Sequence, residues 1–220
     1  MTMRRFMLIV PLSLVAMATL TAQQPDAAQI RQEREQAEKD VPRLVETLGL
    51  KPGMTVADVG AGGGAFTVVL GKWIGSGTVY ATDIGQRQLR EIREYADKEG
   101  LKNVTVIEGA AAATNLPPEC CDAIFMRDVY HHITTPSIAA FNKSVLASLK
   151  PGGRFAIIDF RGRPGSAVPE GVPANRGGHG IPPEVVVDEV KAAGFNYRET
   201  IEGWPTREKG AVFFLVLFQK

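Results

Sequence analysis

The sequence predicts an α/β fold: a doubly wound, mostly parallel sheet of seven strands with an antiparallel last strand. Short apolar runs alternate with helical patterns five times, as in a parallel sheet covered by helices on both faces. The last two predicted strands break this alternation, because only turn-forming residues and a charged loop separate them. Strands joined without a crossover helix run antiparallel, so the final strand is expected to reverse direction.

The first half of the domain supplies a leading helix and three strands. A charge-rich segment runs into an amphipathic helix that ends at Gly49. The strands are apolar or β-branched, and the helices between them carry one apolar face and stop at glycine. We expect strands at 55–59, 78–83 and 103–108 and helices at 65–74 and 86–98.

The second half continues the pattern and contains one long loop. Apolar runs and helical spacing predict strands at 122–127, 154–160, 195–201 and 211–218 and helices at 137–149 and 182–193. A Lys-Pro-Gly-Gly turn at 150–153 precedes the fifth strand. The Gly/Pro-rich loop at 161–180 is too long for a simple connection, which makes it a candidate lid or binding loop.

Composition fits one globular domain and excludes some partners. The chain has 220 residues, 45% of them hydrophobic, and a formal net charge of +1. No run of basic residues interleaved with aromatic ones is present, so we expect no nucleic-acid partner. The adjacent Cys120 and Cys121 are expected to be free thiols, since a disulfide between neighbours is strained. With no other cysteine and only three histidines, we expect no structural zinc site, and we assign no residue to a metal.

The N-terminus has the layout of a secretory signal peptide, in which two arginines precede an apolar run and a small-residue segment. We expect cleavage near Ala18 or Ala22 and a periplasmic or secreted protein without a stable membrane span. An uncleaved anchor is disfavoured because the run is short for a bilayer and Pro11 interrupts it. The predicted divisions are a signal peptide at 1–22, a polar segment at 23–40 and one domain at 41–220.

The first strand runs directly into a glycine-rich turn and then into a helix. Glycine permits positive φ and close approach of a ligand, and the helix aims free N–H groups at that ligand. Gly60, Gly62 and Ala65 would also satisfy the G-x-G-x-x-A dinucleotide pattern. Asp58 just before the turn instead favours a cationic ligand over a pyrophosphate. Asp83, at the end of the second strand, could bind ribose hydroxyls in either case.

In order and spacing, these segments resemble the class I S-adenosylmethionine-dependent methyltransferases, and more closely the small bacterial members with an export signal. The resemblance is carried by 56–64, by Asp83, and by 121–125 and 149–155, and it extends from about residue 41 to the end. It implies a Rossmann-like methyltransferase fold, S-adenosylmethionine as cofactor, and in-line methyl transfer to a small-molecule acceptor.

The resemblance also implies which residues hold the cofactor. The expected set is Asp58, Gly60, Ala61, Gly62, Gly64, Asp83, Ile84, Glu108, Gly109, Ala110 and Arg127. Many relatives carry an Asp after the glycine that ends the third strand, where it holds the adenine amino group. Here Ala110 follows Gly109, so adenine must be held by backbone groups, by Asn115 or by another side chain. For Glu108 a solvent-facing strand end is an equal alternative.

The chain after the fourth strand supplies the catalytic candidates Tyr130, His131 and His132. An imidazole with an ordinary pKa near 6.5 can orient or deprotonate an acceptor. The alternative is that one histidine packs under the next helix or caps it, and the sequence does not separate the two. Arg127 or Asp128 could instead line the cofactor through backbone atoms.

The long loop adds a basic set beyond the fifth strand, comprising Arg161, Arg163, Arg176 and His179, and Asp159 lies at the rim. A loop folded over the pocket would favour an anionic acceptor, whereas a solvated loop would not. Two further functions stay open at this stage. One is a nicotinamide-dependent oxidoreductase, and the other is a non-catalytic S-adenosylmethionine-binding domain.

Overall fold

The computed structural model describes residues 27–162, 179–205 and 212–220. The predicted signal peptide lies outside the described residues, as do Arg163 and Arg176. The helices are α1 (Ala27–Leu48), α2 (Ala65–Ile74), α3 (Gln86–Lys98), α4 (Ser137–Ser148) and α5 (Pro183–Ala192). The strands are β1 (Thr55–Val59), β2 (Thr78–Asp83), β3 (Val104–Glu108), β4 (Cys121–Arg127), β5 (Leu149–Phe160), β6 (Asn196–Trp204) and β7 (Phe213–Gln219).

The seven strands form one sheet in the order β3-β2-β1-β4-β5-β7-β6. Strands β1 to β5 pair in parallel, and β7 lies antiparallel between β5 and β6. The predicted fold class and the reversed last strand are therefore confirmed. Because the order turns back at β1 and β4, the chain leaves these two neighbouring strands in opposite directions, which opens a crevice at their carboxyl ends.

Two element bounds differ from the prediction in an informative way. Strand β5 begins at Leu149, which pairs with Cys121 of β4, and the predicted turn at 150–153 lies at a shift in register before Arg154 pairs with Ala123. Gly152 has φ +76° there, which is the conformation that a bulge requires. Helix α1 begins at Ala27 and runs through the predicted boundary at 40/41, so the described part of the polar segment is helical.

The core lies on both faces of the sheet. One face packs against α4 and α5 through residues such as Phe141 and Val186, and the other packs against α1 and α2 through Leu44 and Leu70. Full burial of a leucine side chain contributes roughly 1.5 to 3 kcal/mol, so Leu44 and Leu48 attach the leading helix firmly to the sheet. Among the described helices, none is both long and apolar enough to cross a bilayer.

Candidate functional site

A glycine-rich turn follows β1 and forms the floor of the site. Gly60, Gly62 and Gly64 have φ values of +77°, +54° and +82°, which favour glycine. The amides of Gly60 and Ala61 donate to the same carbonyl oxygen at the end of β2, at 2.8 and 2.9 Å. A Cβ at Gly60 would lie 2.5 Å from Val129, whereas one at Gly62 would meet no atom within 4 Å. The turn is therefore packed on one side and open on the other.

Asp83 holds the open side of this turn in place. Its Oδ2 accepts a hydrogen bond from the Gly62 amide at 3.0 Å, and its Oδ1 accepts one from the Gly85 amide at 2.9 Å. A carboxylate has about four lone-pair positions, so two remain for hydroxyl donors of a ligand. Asp83 thus positions the turn and still offers the acceptor oxygens that the sequence predicted.

Asp58 is buried beneath the turn with 3% of its surface exposed. The Thr67 hydroxyl of α2 donates to its Oδ2 at 2.7 Å, and the Thr67 amide donates as well. Burial, together with the nearby charge of Asp83, raises the pKa of Asp58 to about 7, and the Thr67 hydroxyl opposes that rise. Asp58 therefore caps α2 and also lines the cleft, where a cation would stabilise its ionised form.

The cleft above these groups has a volume of about 1080 Å³ and is walled by α1 and α3 as well as by the sheet edge. The sequence did not predict that these two helices line the cleft. Within a helix pattern, a polar side chain that faces a cleft looks the same as one that faces bulk solvent. Arg34 of α1 lies over the ring of Tyr95 in α3, with Cζ 3.8 Å from its centroid, and so links the walls. Further wall residues are Ile30, Gln36, Arg87, Glu91 and Lys98.

Five residues of the predicted cofactor set do not line this cleft, and their contact with a cofactor stays a prediction. Within the described part of the chain, they are Gly64, Ile84, Glu108, Gly109 and Ala110. The Gly109 amide donates to the carbonyl of Asp83, and Ala110 pairs with Ala113 in a closed turn. The side chain of Asn115 donates to the carbonyl of Glu108 at 2.9 Å. Local backbone pairing thus engages these groups at the edge of the sheet.

Arg127 lines the cleft. It lies 3.7 Å from the buried Asp40 carboxylate of α1, and its guanidinium carbon is 5.2 and 4.7 Å from the ring centroids of Phe66 and Phe213. Burial raises the pKa of Asp40, and the charge of Arg127 opposes that rise. Arg127 therefore ties α1, α2 and β7 together under the cleft.

At the carboxyl end of β4, a short 3₁₀ helix (Tyr130–His132) brings a histidine onto Asp159 of β5. His131 is 2% exposed, and its Nδ1 lies 2.9 Å from Asp159 Oδ1. The same carboxylate accepts the amide of His131 at 3.1 Å and that of Phe160 at 2.8 Å. His131 Nε2 is buried and has no hydrogen-bond partner. Asp159 thus holds the His131 ring through Nδ1, while Nε2 is buried without a hydrogen bond.

His132 and His179 complete a group of three imidazoles. The His132 ring centroid lies 4.0 Å from that of His131, and the His179 centroid lies 5.0 Å from it. His132 is exposed and lines the cleft with Asp128. Burial of part of the ring, followed by the charge of His131, lowers the pKa of His132. Neutral imidazole is therefore its main form at pH 7.

The structure corrects one prediction at this edge. Tyr130 is fully buried in the core, where its hydroxyl accepts a hydrogen bond from Asn142 Nδ2 at 2.8 Å, so it does not face the cleft. Arg161 pairs with Glu202 at 2.8 Å and with Glu184 at 3.4 Å. Its charge is offset there instead of being presented to an acceptor.

Residues 56–153 match a family model described as a methyltransferase domain. An S-adenosylmethionine-dependent methyltransferase from Aquifex aeolicus superposes with a TM-score of 0.65 at 28% identity, covering 84% of this chain and 97% of that one. The matched segment and the fold are thus similar to those of the class I S-adenosylmethionine-dependent methyltransferases.

Curated methyltransferases align with this chain over a stretch of 118 residues. Sterol 24-C-methyltransferase ERG6B of Gibberella zeae is 30% identical over 53% of this chain and 30% of its own length. The ubiquinone/menaquinone C-methyltransferase UbiE of Shewanella halifaxensis is 32% identical over 53% of this chain and 46% of its own. The chain thus spans less than half the length of either relative. The [4+2]-cyclase SpnF has a similar fold (TM-score 0.66, 17% identity, 85% of this chain and 81% of that one), so fold alone does not establish methyl transfer.

S-adenosylmethionine, the cofactor of the methyltransferases that this chain resembles, fits the cleft. The space beside Gly62 is open, and the buried Asp58 carboxylate faces it. The ammonium or sulfonium of the cofactor would place a positive charge beside Asp58 and stabilise its ionised form. Asp83 has acceptor positions left for the ribose hydroxyls. The expected contacts that line the cleft are Asp58, Gly60, Ala61, Gly62, Asp83 and Arg127.

Proposed function

We propose that this chain transfers a methyl group from S-adenosylmethionine to a small-molecule acceptor. The observation that carries the proposal is the buried, cleft-facing Asp58 with a pKa of about 7 beneath an open glycine turn. A dinucleotide pyrophosphate would place negative charge against that carboxyl, which is unfavourable in a buried site. A cationic methyl donor relieves the same cost, and the similarity to known methyltransferases supports this choice.

The residues of the chain bind and orient the donor as follows. The Asp58 carboxylate attracts the ammonium of the methionine part, and Asp83 accepts the ribose hydroxyls while it holds Gly62 in place. Arg127 keeps α1, α2 and β7 assembled around the site. When bound, S-adenosylmethionine supplies an electrophilic methyl group on a sulfonium sulfur.

We place the acceptor against the edge formed by Asp128 and His132. Both residues line the same cleft as Asp58, so an acceptor there shares a continuous space with the donor. Alignment of two bound reactants contributes on the order of 7 to 11 kcal/mol, which makes positioning the main catalytic device. The neutral His132 can orient an acceptor hydroxyl or amine, or remove its proton.

Ligand-induced thermal shift separates the three candidate functions. We expect S-adenosylhomocysteine to stabilise the purified protein, by about 2.7 kcal/mol at a concentration of 100 times its Kd, and NADH to leave it unchanged. Asp58→Ala should weaken this response, whereas the exposed Asp97→Ala serves as a matched control. Stabilisation by NADH alone would reject the proposal. Binding of S-adenosylhomocysteine without turnover on a broad panel of small acceptors would indicate a non-catalytic cofactor-binding domain.

We further propose that the mature protein is exported. The proposal rests on the arginine pair, apolar run and small-residue site of the first 22 residues. Fractionation followed by N-terminal sequencing should find a periplasmic or secreted chain that starts near Thr19 or Gln23. Recovery of cytoplasmic protein that retains Met1 would contradict export.

A further inference from the structure

All three histidines of this sequence meet at one place. His131 and His132 lie at the carboxyl end of β4, and His179 lies at the end of the long loop after β5. One ring nitrogen from each lies within 4.8 Å of the others. The chain contains no other histidine, so the convergence uses every imidazole available to it.

Asp159 prepares His131 as a ligand. Its carboxylate lies 2.9 Å from His131 Nδ1 and can only accept a hydrogen bond when ionised, so the proton of the neutral ring resides on Nδ1. The lone pair of the ring is then on Nε2, which is buried without a hydrogen-bond partner. Metal-bound histidines commonly have this arrangement, because a carboxylate on the second nitrogen orients the ring and raises its basicity.

The neighbouring groups favour a cation at the same place. Asp128 and Asp159 each offer an oxygen within 4.8 Å of a His131 nitrogen, so two carboxylates face the cluster. His132 and His179 are exposed and can adjust their side chains. Nitrogens on one zinc ion, with Zn–N near 2.0 to 2.1 Å, lie at most about 4 Å apart, so closure requires movements of about an ångström.

We propose that His131, His132 and His179 bind one divalent first-row transition ion at the inner edge of the methyltransferase cleft. Three imidazole ligands suit Zn²⁺ best and leave a fourth position for water or an oxygen of a bound molecule. This site has an open position, unlike the closed structural zinc site that the sequence argued against. With the metal bound, His132 could not also remove a proton from an acceptor, since coordination uses the same lone pair.

Metal titration of untagged, chelator-treated full-length protein tests the site. We expect calorimetry to give one Zn²⁺ per chain, and Co²⁺ to give visible d–d bands without thiolate charge transfer. His179→Ala should weaken binding by more than the 10- to 100-fold that an orienting partner costs, and Asp159→Asn should weaken it within that range. Cys120→Ser should bind normally, which excludes the adjacent thiols as the ligands.

Three results would overturn the proposal. The first is that folded wild-type protein binds neither Zn²⁺ nor Co²⁺. The second is that His179→Ala binds the metal as well as wild type does, and the third is that Cys120→Ser no longer binds it. Circular dichroism of each variant shows whether it is folded. S-adenosylhomocysteine affinity should be the same in wild type and His179→Ala, so the metal site and the proposed methyl transfer can fail independently.

Discussion

The donor side and the histidine edge of the cleft are built in different ways. The donor side comes from one continuous stretch, β1, its turn and the start of α2, plus a single carboxylate one strand away. The histidine edge draws on three separated positions, which are the end of β4, Asp159 within β5, and His179 at the end of the long loop. A ligand site made by one local unit can be recognised from sequence, whereas a site made by convergence depends on the complete fold.

Burial acts on both regions but on opposite types of group. It raises the pKa of Asp58 and lowers the pKa of His132, and in each case the neutral form is favoured. A neutral acid has little attraction for a cation until it ionises, whereas a neutral imidazole already offers a lone pair. The donor side should therefore depend on pH near neutrality, whereas His132 should remain mainly neutral there.

The largest effect should come where the two regions touch. A Cβ at Gly60 would lie 2.5 Å from Val129 and would require φ +77°, so Gly60→Ala should lower the free energy of unfolding by about 2 to 5 kcal/mol. Gly62→Ala is the matched control, because its Cβ meets no atom within 4 Å and only backbone strain of about 1 to 2 kcal/mol remains. Urea denaturation measures both, and equal losses would contradict close packing between the regions.

Asp83→Ala should come next, with an effect confined to the donor side. Loss of the ribose acceptor and of the bonds to Gly62 and Gly85 should weaken S-adenosylhomocysteine binding by about 1 to 3 kcal/mol, or about 5- to 150-fold. Calorimetry measures the change, with Asp97→Ala as control. Unchanged affinity would remove Asp83 from the donor site.

A smaller effect should appear as pH dependence at Asp58. Since its pKa is about 7, the ionised fraction rises with pH, and S-adenosylhomocysteine affinity should increase about tenfold from pH 6 to pH 8. Asp58→Asn keeps an acceptor for Thr67 but should bind weakly with a flat pH profile. A steep profile that persists in the variant would assign the titration to another group.

The same substitution has a consequence for stability. The folded pKa of about 7 exceeds the ordinary value of 3.8, so ionisation costs the folded state stability as pH rises between these values. Asp58→Asn should therefore be more stable than wild type above pH 7, and this advantage should vanish below about pH 4. Thermal melts across this range measure it, and an advantage that grows at low pH would contradict the burial argument.

The smallest effect should come from Tyr130→Phe beside the histidine edge. Loss of the hydroxyl that accepts from Asn142 should cost about 0.5 to 1.5 kcal/mol of stability and leave S-adenosylhomocysteine affinity and turnover unchanged. Denaturation and a methyl-transfer assay on the same preparation separate the two readouts. A large loss of turnover without loss of stability would return Tyr130 to the acceptor site.

The predictions from sequence were most accurate where local chemistry decides the structure. Helix α2 has the predicted bounds, and Asp58, Gly62 and Asp83 lie together as expected, because glycine conformation and strand register are properties of neighbouring residues. The adenine side stays a prediction, because the Gly109 amide donates to the Asp83 carbonyl of β2 and Ala110 pairs with Ala113, and the local sequence indicates neither bond. Tyr130 differs from His132 only in which way the 3₁₀ helix turns it, and sequence spacing does not resolve so short an element.

By itself, the sequence determined the fold class, the reversed last strand, and the glycine turn with Asp58 and Asp83 beside it. Apolar periodicity and glycine placement are short-range signals, and each is complete within a few residues. Only the tertiary structure decided that α1 and α3 wall the cleft, that Tyr130 lies in the core, and that three distant imidazoles meet beside Asp159. These contacts join segments far apart in the chain, and packing of the whole sheet and its helices brings them together.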